Sequence, residues 1–379
     1  MILLKYLNVF FRNSQSSGIL LISCVLISLF IANSSLGENF QNIIDFKLGI
    51  YSISSWINDG LMSVFFLLVG LEIKRELVQG ELSNIKNASL PIFAAIGGMI
   101  VPACIYFFLN KDTQYSQGWG IPMATDIAFS LAIISLLSKR VPVSVKIFLV
   151  ALAIIDDLGA ILVIAIFYTK TLDWNSLLAS GGILLILILL NKLKLNKIIY
   201  YLVLGVFLWY FMHNSGIHAT ISGVLLAFCI PIKKINNIPS PLEKLEYSLH
   251  IPVNYLIMPI FALVNTNIVF HSGMIEGLFT SLGLGIILGL FVGKLLGIFS
   301  FSFIVIKLGI SKLPNGAKWS QMIGVGLLAG IGFTMSIFIS ILSFRDDYTI
   351  QDEAKFAVLV ASIISGFVGY FVLKLVSKR

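Results

Sequence analysis

Charge is scarce in this chain. Asp, Glu, Lys and Arg make up 12% of its 379 residues, about half the share that soluble domains carry. With 58% hydrophobic residues and a mean hydropathy of +0.98, that shortage excludes a soluble protein. Apolar stretches follow one another along the whole chain, so membrane spans are the protein rather than an anchor on it. Cysteine is rare as well. Cys24, Cys104 and Cys229 lie within apolar segments with no metal-ligand spacing, which excludes a disulfide framework and makes them small buried hydrophobes. A cleavable signal is missing. Lys5 and Arg12 precede the apolar run from Gly18 to Ala32, but no small-residue cleavage site with a soluble domain follows. Low-complexity tracts are also lacking.

Reading spans of about 17–25 residues gives about twelve of them. They centre near Leu26, Leu67, Gly98, Ile127, Asp156, Leu184, Gly205, Val224, Pro259, Leu288, Leu328 and Ile364. Two are irregular. The fourth, Trp119 to Leu137, is short and polar, with Pro122 and Thr125-Asp126 inside it; the eleventh, Ser320 to Ser343, contains Gly330-Ile331-Gly332, which favours a break. With the N-terminus in the cytoplasm, only Lys47, Lys111, Lys170, Arg345 and Lys355 of the 26 basic residues fall outside. Lys294 falls within a span, and all the others fall inside. The net charge of +8 is therefore membrane topology, not nucleic-acid binding. Outside, Asp45–Ser55 alternates apolar and polar residues around Gly49, which predicts a β-hairpin. Inside, the 233–246 loop with Pro239 and Pro241 separates two halves.

The chemistry lies where charge interrupts the apolar runs. Asp156 and Asp157 are adjacent within Val145–Phe167, and a carboxylate at the centre of a span costs about 2.5–3.5 kcal/mol. With Asp126 and Lys294 added, the uncompensated penalty is on the order of 10 kcal/mol. Intramembrane acids that take protons or hold a cation belong to an ion pathway. Neighbours on a helix project about 100° apart, so the two acids have distinct tasks: one takes up a cation, the other pairs with a buried base. Carboxylate oxygens suit small hard cations. Asp126 either lines the unwound stretch or caps a half-helix. Lys294 needs an acidic partner unless it snorkels, and Lys307, the next basic residue, leaves it deep. It sits in Gly285-x3-Gly289-x3-Gly293-x3-Gly297, a spacing that flattens one helix face for close packing. Glu72, Lys74, Arg75 and Glu76 end the second span, while Glu243, Glu246 and His250 open the ninth. They form either a solvated rim or a funnel that concentrates cations. His218 either titrates near neutrality or is a structural histidine at a helix start.

Five stretches carry a resemblance across nearly the whole chain: Trp56–Leu77 (WINDGLMSVFFLLVGLEIKREL), Gly118–Ile133 (GWGIPMATDIAFSLAI), Val145–Ile161 (VKIFLVALAIIDDLGAI), Ser215–Gly223 (SGIHATISG) and Gly330–Ile339 (GIGFTMSIFI). In this order they resemble the NhaA family of bacterial sodium/proton antiporters. The resemblance implies an all-α polytopic membrane protein of about twelve transmembrane helices, with helices three to five and ten to twelve as inverted repeats and the fourth and eleventh broken. It implies one antiporter unit over 1–379, with a transport bundle at 88–169 and 280–376. An interface bundle would comprise 18–80 and 175–271, and the 45–55 hairpin would join a homodimer. Asp157 would be the principal cation ligand, with Thr125 and Asp126 completing the Na+ or Li+ site. Asp156 would pair with Lys294, and Lys294 and Asp126 would offset the ends of the broken helices. Glu72, Arg75, Glu76, Glu246 and His218 would set the response to pH. Tyr247 departs from the family, whose members can carry histidine there. The implied activity is electrogenic export of Na+ for protons, with no cofactor, no catalysis and no nucleic acid. The implied location is the bacterial inner membrane, among lipid, with both termini cytoplasmic. Two rivals fit the same composition. A cation-coupled symporter of an organic anion would need donors for the anion, and no added Arg lies in these spans. An intramembrane aspartyl protease would need a Gly-x-Gly-Asp context that this chain lacks.

Overall fold

The computed structural model describes residues 14–137, 140–169, 172–233 and 239–377. Lys5, Arg12, Lys139, Lys170, Lys234, Lys378 and Arg379 of the charge count lie outside the described residues, as do both termini and the middle of the 233–246 loop. The chain is helical nearly throughout. Its helices are α1 (Ser14–Ala32), α2 (Gly37–Asp45), α3 (Ile53–Gln79), α4 (Ile85–Asn110), α5 (Ile127–Leu136), α6 (Val143–Phe167), α7 (Trp174–Lys192), α8 (Ile198–Asn214) and α9 (Ile221–Cys229). They continue with α10 (Pro241–Asn265), α11 (Ser281–Lys307), α12 (Trp319–Ala329), α13 (Phe333–Ser343) and α14 (Tyr348–Val376). Among the described residues, 8 helical segments are long and apolar enough to cross a bilayer, and 10 if each bent pair is one span. The remaining two of the twelve expected positions hold the shorter apolar helices α8 and α9.

Polar side chains set where helices begin. Asp126, Thr280 and Asp347 each accept a backbone N–H of the first turn of α5, α11 and α14. Asp173 does so for α7, and Ser240 with Glu243 forms a reciprocal capping box on α10. Glu243 is thereby bound to its own helix start.

The chain divides into two compact units. One comprises Met1–Leu36, Glu81–Ala160 and Asn265–Arg379. Here α4 lies against α11 along the glycine run: a Cβ on Gly97 would strike the Gly297 carbonyl, one on Gly297 would strike that of Gly97, and one on Gly293 would come within 2.9 Å of Pro102 Cα. Only glycine permits that approach. Within α11, residues Gly289–Gly293 form a π-helical turn immediately before Lys294. The fourth span is a 3-10 stretch, Ser116–Met123, then extended residues, then α5. The eleventh breaks between α12 and α13, which bend by 44°.

The other unit comprises Gly37–Gly80 and Ile161–Val264. Its core is built from Leu67, Leu71, Tyr201, Leu208, Leu226 and Leu242. Gly223 of α9 sits where a Cβ would meet the Ser63 carbonyl of α3. The hairpin is shorter than the 45–55 segment expected. Strands β1 (Lys47–Leu48) and β2 (Tyr51–Ser52) pair through Lys47–Ser52 and Leu48–Tyr51 around Gly49, whose φ is +73°. Asp45 ends α2 instead, and Ile53–Ser55 already begin α3, with Ser52 accepting the Ser55 N–H. The cysteines also need correction: Cys229 is buried, Cys24 is half-buried and Cys104 is exposed. In a bilayer an apolar side chain loses nothing by facing outward.

Candidate functional site

The broken spans bring the buried charges of the first unit together. The backbone N–H of Asp126 donates to the Ile331 carbonyl at 2.7 Å, tying one break to the other. Asp126 Oδ1 accepts the Phe129 N–H at 3.0 Å, at the start of α5. Its Oδ2 accepts the Thr334 N–H at 3.2 Å and the Thr334 hydroxyl, at the start of α13. One carboxylate therefore serves two helix N-termini, each carrying unsatisfied donors and about half a positive charge. The two readings of Asp126, cap and occupant of the unwound stretch, coexist in this geometry.

Lys294 Nζ donates to Asp156 Oδ2 at 2.6 Å, and both side chains are completely buried. The lysine does not snorkel. Thr125 Oγ1 lies 2.8 Å from the same Asp156 oxygen and 2.7 Å from the Ala329 carbonyl at the end of α12. A hydroxyl has one hydrogen, so it serves one of these acceptors at a time. The Ser130 hydroxyl takes the adjacent Leu328 carbonyl at 2.9 Å, and the Ser336 hydroxyl takes that of Ile121 at 2.6 Å. The carbonyls freed at the breaks are thus met by hydroxyls from α5 and α13, as unwound backbone in a membrane requires. Asp156 Oδ1 accepts no hydrogen bond among the described residues. Asp157 follows on α6 and is equally buried, at 1% exposure.

Three acids and one base are consequently buried beside two broken helices. Thr125, Asp126, Asp156 and Lys294 form one chain of contacts through Ala329, Ile331 and Thr334. Thr334 and Ser130 are the residues that sequence reasoning missed. The signal was present for Thr334, because it stands two positions after Gly332 in a stretch already singled out. Ser130 also lay in a quoted stretch, Gly118–Ile133, but a serine on an apolar helix reads as filler.

The second unit gathers a different set. Arg75 reaches Glu76 Oε1 and Glu246 Oε1, each at 3.1 Å, and His250 Nε2 lies 3.2 Å from Glu72 Oε1. Four of the five residues expected to set the pH response therefore lie together with His250, as an Arg75–Glu76–Glu246 set and a Glu72–His250 pair that come within 4.8 Å of each other at Glu246. His218 is bonded elsewhere. Its Nδ1 lies 2.8 Å from Thr220 Oγ1 and its Nε2 3.4 Å from Asp59 Oδ1, while His213 Nδ1 lies 3.6 Å from Asp59 Oδ2. Asp59 and His213 were not foreseen. Asp59 lies in the π-helical start of α3, where periodicity gives no warning of what a side chain faces. Tyr247 points outward, at 76% exposure.

Comparison with known proteins adds to this geometry. The family model described as Na+/H+ antiporter 1 matches residues 8–373. The chain is 55% identical to the Na(+)/H(+) antiporter NhaA of Flavobacterium psychrophilum, covering 98% of this chain and 96% of that one. It is 52% identical to Na(+)/H(+) antiporter NhaA 2 of Flavobacterium johnsoniae, over 99% and 94%. It is 49% identical to the NhaA of Cytophaga hutchinsonii, over 98% and 95%. With buried acids, a buried lysine and two broken spans in one all-α polytopic chain, the protein belongs to the NhaA family of Na+/H+ antiporters.

Proposed function

We propose that this chain exports Na+ or Li+ across the bacterial inner membrane in exchange for protons, probing both sides in turn through the acids of the first unit. The observation that carries the reading is the fully buried Asp156–Lys294 pair, bridged by Thr125 to the end of a broken helix. A buried ion pair contributes little net stability against apolar residues of the same volume, so its presence in a membrane favours a working role. Asp157 is the carboxylate we assign to the cation, with Thr125 and Asp126 supporting the site, as the resemblance implies. Asp156 takes a proton when Lys294 releases it. Two protons per sodium would move one net charge inward per cycle, driven by about 2.3 kcal/mol per 100 mV.

The surroundings follow from the same reading. The protein works within lipid, with its termini in the cytoplasm. The 88–169 and 280–376 segments carry transport, and the inverted repeats of the family relate their helices. A homodimer forms through the hairpin, whose neighbourhood exposes Phe46, Leu48 and Ile50; three outward apolar side chains support an interface there. Regulation resides in the Arg75–Glu246 network. The test is fluorescence dequenching of a pH probe in everted vesicles. Addition of Na+ or Li+ is expected to release protons, and a proton flux indifferent to both cations would reject the reading. A signal that instead required an organic anion would favour symport.

A further inference from the structure

Glu246 and His250 stand four residues apart on α10, so they present their side chains on one helix face. The same spacing places two ligands on one metal in helical zinc sites. From α3, Glu72 faces them, with Oε1 3.2 Å from His250 Nε2. One ligand atom from each of the three lies within 4.8 Å of the others. A tetrahedral zinc with bonds of about 2.0–2.2 Å separates its ligands by about 3.3–3.6 Å. The required closure is a side-chain adjustment: the His250 side chain is 52% exposed and can turn, while Glu246 is held at 11%.

Charge points the same way. Glu72, Glu76 and Glu246 bring three carboxylates to the network, against the single guanidinium of Arg75. The ammonium of Lys74 does not share in it, because it donates to the Phe228 and Ile230 carbonyls at 2.7 and 2.6 Å. An excess of carboxylates over guanidinium at this place attracts cations. An imidazole with two carboxylates suits zinc and its first-row neighbours, whereas magnesium prefers oxygen and water alone.

We infer that Glu72, Glu246 and His250 form a binding site for a divalent transition metal ion, with water in the fourth position, that ties α3 to α10. The ion is distinct from the transported cation, which the first unit's acids serve. Zinc binding does not depend on the antiport reading; inhibition of antiport by zinc, expected in addition, does.

The experiment uses the purified full-length chain in detergent without sodium. Zinc is titrated by calorimetry and by thermal unfolding. Expected are one saturable site, a raised melting temperature, and no comparable effect of magnesium. His250→Gln and, on the facing helix, Glu72→Gln should each weaken zinc binding by about tenfold or more, while His271→Gln should not. Absorption spectroscopy at the zinc edge keeps the test open if a variant folds poorly. Nitrogen and oxygen ligands with imidazole scattering are expected in the unaltered chain. Sulfur ligation, or zinc affinity unchanged in both His250→Gln and Glu72→Gln, would overturn the site.

Discussion

At the scale of single residues, the buried charges differ in what each is asked to do. Asp126 is engaged by two helix starts and Asp156 by a lysine and a hydroxyl, so substitutions should separate their roles. Asp157→Asn is expected to abolish sodium-dependent proton release while the protein still inserts, since an amide is cheaper to place in the bilayer than a carboxylate. Normal proton release from Asp157→Asn vesicles would reassign the cation. Lys294→Ala leaves Asp156 buried without its base, a loss of about 3–5 kcal/mol, and should lower the melting temperature markedly. The double variant Asp156→Asn with Lys294→Gln should recover much of that stability and carry fewer protons per cycle, measured as charge movement on a solid-supported membrane. Additive losses in the double variant would mean that the 2.6 Å contact is not an energetic pair. The acids and the lysine stood out in the sequence because charge inside apolar runs is costly. Thr334, which donates to Asp126, and Ser130, which donates to the Leu328 carbonyl, did not, because hydroxyls are common on membrane helices for packing.

At the scale of elements, breaks and glycines matter more than helix propensity. A span that unwinds must satisfy its freed backbone groups within the protein, and here side chains of each break meet several of the other's, while Ser362 of α14 takes the Phe333 N–H. The Gly330-Ile331-Gly332 break was readable because two glycines flank one residue. The resemblance implied that Asp126 offsets both half-helix starts; that Thr334, 208 residues away in sequence, supplies the contact on α13 was not readable. The α4–α11 contact gives a direct test. Gly297→Val would push its side chain into the Gly97 backbone, with an expected loss of about 1–3 kcal/mol. The same change at Gly182, where an added Cβ meets nothing within 4 Å, should leave unfolding by heat nearly unchanged. The hairpin supplies a second test. Replacing Leu48 and Ile50, both exposed, by serine should shift the detergent-solubilised protein from dimer to monomer in light scattering, with antiport in vesicles retained.

At the scale of the whole molecule, the proposed exchange has cation and protons contesting the same carboxylates. The apparent KM for sodium should then fall as pH rises, by about tenfold per pH unit for each proton displaced. The sign follows from competition: at low pH the carboxylates are protonated and refuse the cation, and at high pH they are open to it. A KM flat between neutral and alkaline pH would mean that the two ions use separate sites. A transmembrane potential, negative inside, should accelerate the cycle if one net charge enters per turn. An exchange rate indifferent to potential would reject the two-proton stoichiometry while leaving antiport intact.

The sequence by itself determined that the chain is an all-α membrane protein, which spans are irregular, and which acids and lysine interrupt the apolar runs. Each of those conclusions rests on a cost that is local to a segment: hydrophobicity per span, charge in hydrocarbon, glycine in a helix. Tertiary structure alone decided the individual contacts. It put the Thr334 hydroxyl and N–H on Asp126, set Thr125 between Asp156 and the end of α12, and placed His250 on Glu72 while His218 went to Asp59. It also trimmed the hairpin to two residue pairs. Hydrogen bonds and ion pairs act over a few ångströms in space, and residues far apart in sequence come within that reach only when helices pack.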